Sequence, residues 1–264
     1  MLATVNAATL HGVCGHPVRV EVHVANGLPA FTVVGLPDAS CREARDRVRA
    51  ALVSSGLSWP ARRITVNLAP TGIPKAGSVL DLAMAVGLLV ACEEIESESI
   101  LDLAFLGELG LDGSIRPIPG VLPLVDAVEA SGVVVAPGNQ PEAALVTTQR
   151  VLGVGDLRTL VRALRHEAPW PTSVEAPVRA EPVEGPDLSD VRGQRVARFA
   201  LEVAAAGAHH ILLVGPPGSG KSMLARRLPG ILPDLDPVDA LEATRIRSAA
   251  GEDLPPGALD LRPP

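Results

Sequence analysis

The chain has 264 residues, 47% of them hydrophobic, 20% charged and only 2% aromatic, with a net charge of −7. That length suits roughly two domains of ~100–200 residues, and the composition is that of a globular protein whose core is filled mainly by Ala, Val and Leu. The acidic balance excludes a chain-wide attraction to nucleic acid, leaving only local basic patches; Cys14, Cys41 and Cys92, with no C-x-x-C, exclude a disulfide framework or zinc knuckle and read as buried reduced thiols.

The start, MLATVNAATLHGVCGHP, lacks a basic n-region and a continuous apolar run, so no signal peptide is expected. Val18, Val20, Val22 and Val24 alternate with Arg19, Glu21 and His23, a half-buried strand closed by a turn at Ala25-Asn26-Gly27. Phe31–Val34 reads as a second strand. Asp38 is a good N-cap for a helix over 39–55, ended by Gly56. On that helix Arg42, Arg45 and Arg49 share a face, with Arg62 and Arg63 nearby in sequence; the interleaved Glu43 and Asp46 favour a solvated face over a DNA-contacting patch.

Ile64, Val66 and Leu68 alternate again, and a helix over 79–92 follows. The apolar run Val79–Cys92 is 14 residues long and contains Asp81, too short to span a bilayer. Asp81 is read as a satisfied core or helix-start carboxylate. Its end, LLVAC, resembles a lipoprotein box, but lies 92 residues in. A cytoplasmic protein with no membrane partner is the expectation. Ala104–Leu109 and Ser114–Ile118 form a hairpin around Asp112-Gly113. A helix near 120–131, a strand Val133–Ala136, a short helix after Pro141, a strand Val151–Val154 and a helix at 156–166 complete the region. Strands and helices mix without strict alternation, which favours α+β over a doubly wound sheet.

Residues 168–187 carry Pro169, Pro171, Pro177, Pro182 and Pro186 and show no apolar periodicity. They read as an extended linker, placing domains at 1–166 and 187–264 around a proline-rich 167–186. Beyond it come a helix at 190–206, an apolar strand Ile211–Val214, a helix from Lys221, and a helix over 236–249 with Asp236 as N-cap. His209-His210 lack further ligands at metal-binding spacing and read as strand-edge packing.

The segment GPPGSGKS, residues 215–222, fits G-x-x-x-x-G-K-[ST] between that strand and helix. Gly215, Gly218 and Gly220 let the backbone, with Pro216, Pro217 and Ser219, wrap a phosphate with N–H groups turned inward. Lys221 is expected to reach the β- and γ-phosphates, and Ser222 to ligate Mg²⁺. The implied cofactors are ATP and Mg²⁺. Hydrolysis needs a second acid at the end of an apolar strand. After Lys221 the acids are Asp234, Asp236, Asp239, Glu242, Glu252, Asp253 and Asp260, and none ends one; Pro233 breaks the run before Asp234. The 78 residues from 187 are too few for a complete P-loop sheet, so the ATPase domain is expected to be truncated and turnover to be absent.

Five stretches carry a family resemblance: VEVHVANGLPAFTVVGLPD (20–38), RVRAALVSSG (47–56), PARRITVNLAP (60–70), GELGLDGSIRPIPGVLP (107–123), and DLSDVRGQ through the P-loop to GILP (187–233). They resemble the N-terminal half of the ComM/YifB proteins, magnesium-chelatase-like AAA+ ATPases. The resemblance implies an α+β Lon-protease-like domain of the ribosomal-S5 second-domain class, followed by a truncated α/β P-loop AAA+ module. It implies, for the intact protein, a homo-hexameric, ATP-driven DNA branch-migration helicase of natural transformation. A nucleotide-binding or interaction module without turnover, or a magnesium-chelatase-type subunit, are the rivals. Lon-type peptidases use a Ser-Lys dyad; the matching positions here hold Val79 and Leu122, with Ser78 one residue off and Lys75 in the shared PK motif, so no protease is expected.

Overall fold

A computed structural model describes residues 1–145, 149–171, 186–252, 254, 259 and 261. Two units separate by their internal contacts: Met1–Val178 with Arg245–Ala258, and Arg179–Thr244 with Leu259–Pro264.

The first unit is built on a mixed sheet. β1 (Leu2–His11) and β2 (Cys14–Ala25) form a long antiparallel hairpin, running from Leu2 opposite His23 to His11 opposite Cys14. β3 (Ala30–Val34) is followed by α1 (Ala39–Ser54), β4 (Arg63–Ala69) and α2 (Asp81–Ala91). Then come β5 (Leu103–Phe105), β6 (Glu108–Leu109), β7 (Ile115–Arg116), α3 (Val121–Asp126), β8 (Gly132–Val135), α4 (Gln140–Ala143), β9 (Arg150–Gly153) and α5 (Leu157–Leu164). The seven-stranded order is β3-β4-β2-β1-β5-β8-β9, while β6 and β7 make a separate two-stranded ribbon. β4-β2-β1 is antiparallel; β5, β8 and β9 run parallel, as does the edge pair β3-β4. This mixture agrees with the unalternated order of elements.

The valines of β2 are buried as their alternation requires, and Ile64, Val66 and Leu68 of β4 join them. α2 lies against β1 and β2, and every one of its eleven residues is buried. Asp38 caps α1 by accepting from the Cys41 N–H at 2.8 Å, and its other oxygen accepts from the Gly77 N–H at 2.9 Å. One carboxylate thus joins a helix start to the loop before α2.

Several expectations need correction. β1 escaped the sequence reading because the inward residues Ala3 and Ala7 carry little hydrophobic signal. The expected strand 104–109 divides: Phe105 ends β5, the Gly107 N–H turns to the Val79 carbonyl, and only Glu108–Leu109 pair with Ile115–Arg116. The 120–131 helix stops at Asp126. Cys14 is exposed at the tip of the first hairpin and Cys92 is half-buried, so only Cys41 is a buried thiol. Burial, with Asp38 adding to it, pushes the Cys41 thiol up to about 12. Residues 172–185, which include Pro177 and Pro182 of the expected linker, lie outside the described residues, as do Asp253 and Asp260.

The second unit contains α6 (Arg195–Ala206), α7 (Lys221–Ala225) and the start of α8 (Pro237–Ala249). Its small core joins Leu188, Val191, Leu201 and Leu224, with Ile211, Leu213, Leu228 and Ile231 packed around them. The helix expected over 190–206 begins only at Arg195. Gly193 at φ +77° and Gln194 at φ +48° are both left-handed and break the helical path. The expected strand Ile211–Val214 forms no ladder. Its period-two burial is nevertheless present: Ile211 and Leu213 pack inward, while Leu212 and Val214 are 85% and 86% exposed. A strand needs a hydrogen-bonded neighbour, and among the described residues this unit holds none. Among the described residues no helix is long and apolar enough to cross a membrane.

Candidate functional site

The GPPGSGKS segment starts where Leu213 leaves the small core. Pro216 to Ser219 make a turn closed by the Ser219 N–H on the Pro216 carbonyl at 3.3 Å. Proline stands second and Gly218, at φ +79°, third, the residue pattern of a type II turn. Gly220 is also left-handed, at φ +87°, and precedes the first residue of α7. A side chain at either glycine would meet backbone strain, so the two glycines fix the path of the loop. Leu224, the inward residue of α7, anchors its far end in the core.

Lys221 closes this loop on itself. Its ammonium donates to the carbonyls of Gly215 and Pro216, each at 2.8 Å, and to the Ser219 hydroxyl at 3.4 Å. Gly215 admits Ser219 closely, for a Cβ there would lie 3.0 Å from the Ser219 hydroxyl oxygen. Pro216, Pro217, Gly218 and Ser222 are exposed. The structure therefore brings Gly215, Pro216, Ser219, Gly220 and Lys221 into one bend, with Ser222 beside it on the first turn of α7. The ammonium holds three neutral acceptors, none of which offers it a countercharge. Asp234, Asp236, Asp239 and Glu242 are on loop or α8, and Asp236 accepts from the N–H groups of Val238 and Asp239, both at 2.9 Å, as the expected cap. His209 and His210 are exposed rather than packed at a strand edge, and the described residues contain no cluster suited to a metal ion.

One neighbour of the loop was missed from sequence. Gln194 reaches it from the segment before α6, donating from its side-chain amide to the Ser219 carbonyl at 3.4 Å. Reading 190–206 as one helix hid it; Gly193, a poor residue for a helix interior, was the available signal.

In the first unit, Val79 and Leu122 are buried in the core. The Ser78 hydroxyl donates to Glu108, and the fully buried Lys75 ammonium donates to the Pro70 carbonyl. Burial lowers the Lys75 pKa, with the Cys41 thiol group pulling weakly the other way. Arg42, Arg45 and Arg49 are exposed on α1, the solvated face expected of them.

The family described as subunit ChlI of Mg-chelatase matches residues 20–139, and that described as magnesium chelatase, subunit ChlI, matches residues 187–263. An uncharacterized protein of Mycobacterium tuberculosis is 46% identical over 264 residues, covering 98% of this chain and 52% of that protein. The uncharacterized protein YifB of Escherichia coli is 41% identical over 251 residues, covering 94% and 49%, and the competence protein ComM of Haemophilus influenzae 39% over 259 residues, covering 96% and 51%. A shorter stretch of 102 residues is 32% identical to Lon protease 2 of Bacillus subtilis, covering 38% of this chain and 18% of that protein. The chain spans about half the length of the first relatives it matches. Matched along both its units by the chelatase-subunit families, and over nearly all its length by YifB and ComM, the chain belongs to the ComM/YifB family of magnesium-chelatase-like proteins.

Proposed function

We propose that residues 215–222 bind ATP with Mg²⁺. The observation that carries this is the Lys221 ammonium lying across the bend on the carbonyls of Gly215 and Pro216. On binding it exchanges those neutral oxygens for the β- and γ-phosphates, while the loop N–H groups and the exposed Ser222 hydroxyl receive the phosphates and the cation. Residues 1–166 serve as a Lon-type domain without peptidase chemistry, since neither Val79 nor Leu122 can act as nucleophile or base. Residues 187–264 serve as the beginning of an AAA+ module. For the whole protein we take the role to be ATP-driven remodelling of DNA as a homo-hexamer, supported by the likeness to a protein named for competence. A cytoplasmic setting goes with this role, and an exposed thiol such as Cys14 persists there.

A second reading, binding without turnover by the chain of 264 residues, is favoured by one observation: among the described residues no strand follows the loop to carry a second acid. The test pairs two assays on the chain and its Lys221→Ala variant. Binding of a fluorescent ATP analogue with Mg²⁺ is expected for the former and lost in the latter, with no phosphate release above background. Absence of binding overturns the nucleotide site. Turnover abolished by Lys221→Ala keeps the site and overturns the second reading.

A further inference from the structure

The segment preceding α6 is fastened to α7 and to the turn just beyond it. Asp187 accepts from the Ser189 N–H at 2.6 Å, and the Arg227 side chain donates to the Asp187 carbonyl at 2.8 Å and pairs with Asp190 at 3.7 Å. Leu188 and Val191 pack against Leu224 in the small core. From this fixed base the chain makes two consecutive left-handed residues, Gly193 and Gln194. For glutamine that conformation costs backbone strain. Here the outcome of the detour is contact with the loop. The Gln194 amide nitrogen donates to the Ser219 carbonyl at 3.4 Å, and a Cβ at Gly220 would stand only 2.7 Å from that nitrogen.

The bond grips one peptide plane. In a trans peptide the carbonyl and the following N–H point in opposite directions. Holding the Ser219 carbonyl toward Gln194 therefore turns the Gly220 N–H away from it. We infer that Gln194 is a positioning residue of the nucleotide site, clamping the Ser219–Gly220 peptide so that the Gly220 N–H is presented to a bound polyphosphate. This inference rests on the nucleotide-binding reading above. It also assigns Gly220 a second reason to lack a side chain: room for the Gln194 amide.

The experiment uses the full chain, the fluorescent ATP analogue with Mg²⁺, and the variants Gln194→Gly, Gln194→Glu and Lys221→Ala. Gln194→Gly removes the clamp and relieves the left-handed strain. Its binding is expected to be about tenfold weaker, the equivalent of one lost hydrogen bond, while its melting temperature stays equal or rises. Gln194→Glu keeps the size of the side chain but sets an acceptor against the Ser219 carbonyl, and is expected to bind more weakly than Gln194→Gly at an unchanged melting temperature. Affinity equal to that of the original chain in either variant, or weakened binding that merely tracks a lowered melting temperature, overturns the inference. If the original chain binds and Lys221→Ala does not, such a result bears on Gln194 alone. If the original chain itself fails to bind, the nucleotide site falls first and the clamp with it.

Discussion

Arg47 grips Asp81 with two prongs, Nε to Oδ2 at 2.6 Å and Nη2 to Oδ1 at 3.0 Å, joining α1 to the first residue of α2. The carboxylate is only 1% exposed, the guanidinium 20%. Arg47 also donates to the Ser40 carbonyl at 2.9 Å, which stiffens the arm that makes the pair. Removing one partner leaves the other desolvated, so Arg47→Ala is expected to lower unfolding free energy by about 3 kcal/mol, the low end for a buried pair because the arginine is partly wet. Replacing both, Arg47→Met with Asp81→Leu, recovers most of that loss. Urea unfolding of the single and double variants decides it; equal losses in both would show that the charges themselves are not what matters.

Two carboxylates of the first unit give stability opposite dependences on pH. Burial raises the Asp81 pKa from 3.8 to about 6, more than the pull of Arg47 lowers it. The folded protein then keeps a proton that the unfolded chain has released, so this contribution falls as pH rises from 3.8 to about 6 and is level above that. Asp38 goes the other way. Burial pushes its pKa up, but the N–H groups of Cys41 and Gly77, with help from Arg47, bring it below 3.8. Its contribution is present above that value and is lost as pH falls below it. Unfolding free energies over a pH series should show Asp81→Asn flattening the upper window and Asp38→Asn the lower one.

Gly87 sits in the middle of α2, where alanine normally stabilises by roughly 0.5–1 kcal/mol. Here a Cβ would lie 2.7 Å from a methyl of Val22 and 3.3 Å from one of Val5. Both valines are stiff, β-branched and buried in the hairpin beneath, so they cannot swing aside. Overpacking of roughly 1–3 kcal/mol outweighs the helix gain, and Gly87→Ala is expected to destabilise by about 1 kcal/mol in chemical denaturation. A more stable variant would mean that α2 is free to lift from β1 and β2.

MgATP should protect one unit and not the other. At 100 times its dissociation constant a ligand adds about 2.7 kcal/mol to the state that binds it. In calorimetry the transition of the second unit should shift upward, that of the first should stay, and Lys221→Ala should remove the shift.

The first unit was legible where burial is one-sided. The valines of β2, the alternation of β4, the Asp38 cap and the apolar α2 each impose their element locally, and each is where the pattern puts it. The loop residues from Gly215 to Ser222 were legible for a related reason: the glycines and the lysine are chemically demanding, and the structure gathers most of them into one bend. What stayed hidden depends on partners. β1 is drawn into the sheet by β2 despite its alanines. Ile211–Val214 has a strand's pattern but, among the described residues, no neighbour to pair with, which makes Leu212→Ser a substitution expected to change the stability of this chain by less than about 0.5 kcal/mol. Gln194 stayed hidden because no local rule places a glutamine in a left-handed turn, although Gly193 beside it marked a break in the helix.

The large sheet carries a seam. Its antiparallel portion and its parallel portion meet through a single register pair, Asn6 with Ala104, supplemented by the Asn6 side-chain amide on the Leu103 carbonyl at 3.4 Å. Main-chain bonding is thus thinnest in the middle of the sheet, and α2, which touches β1, β2 and β5, splints the join. Pulled across its strands, this unit would part at that line, leaving the β1–β2 hairpin zipped on one side and the β8–β9 pair on the other.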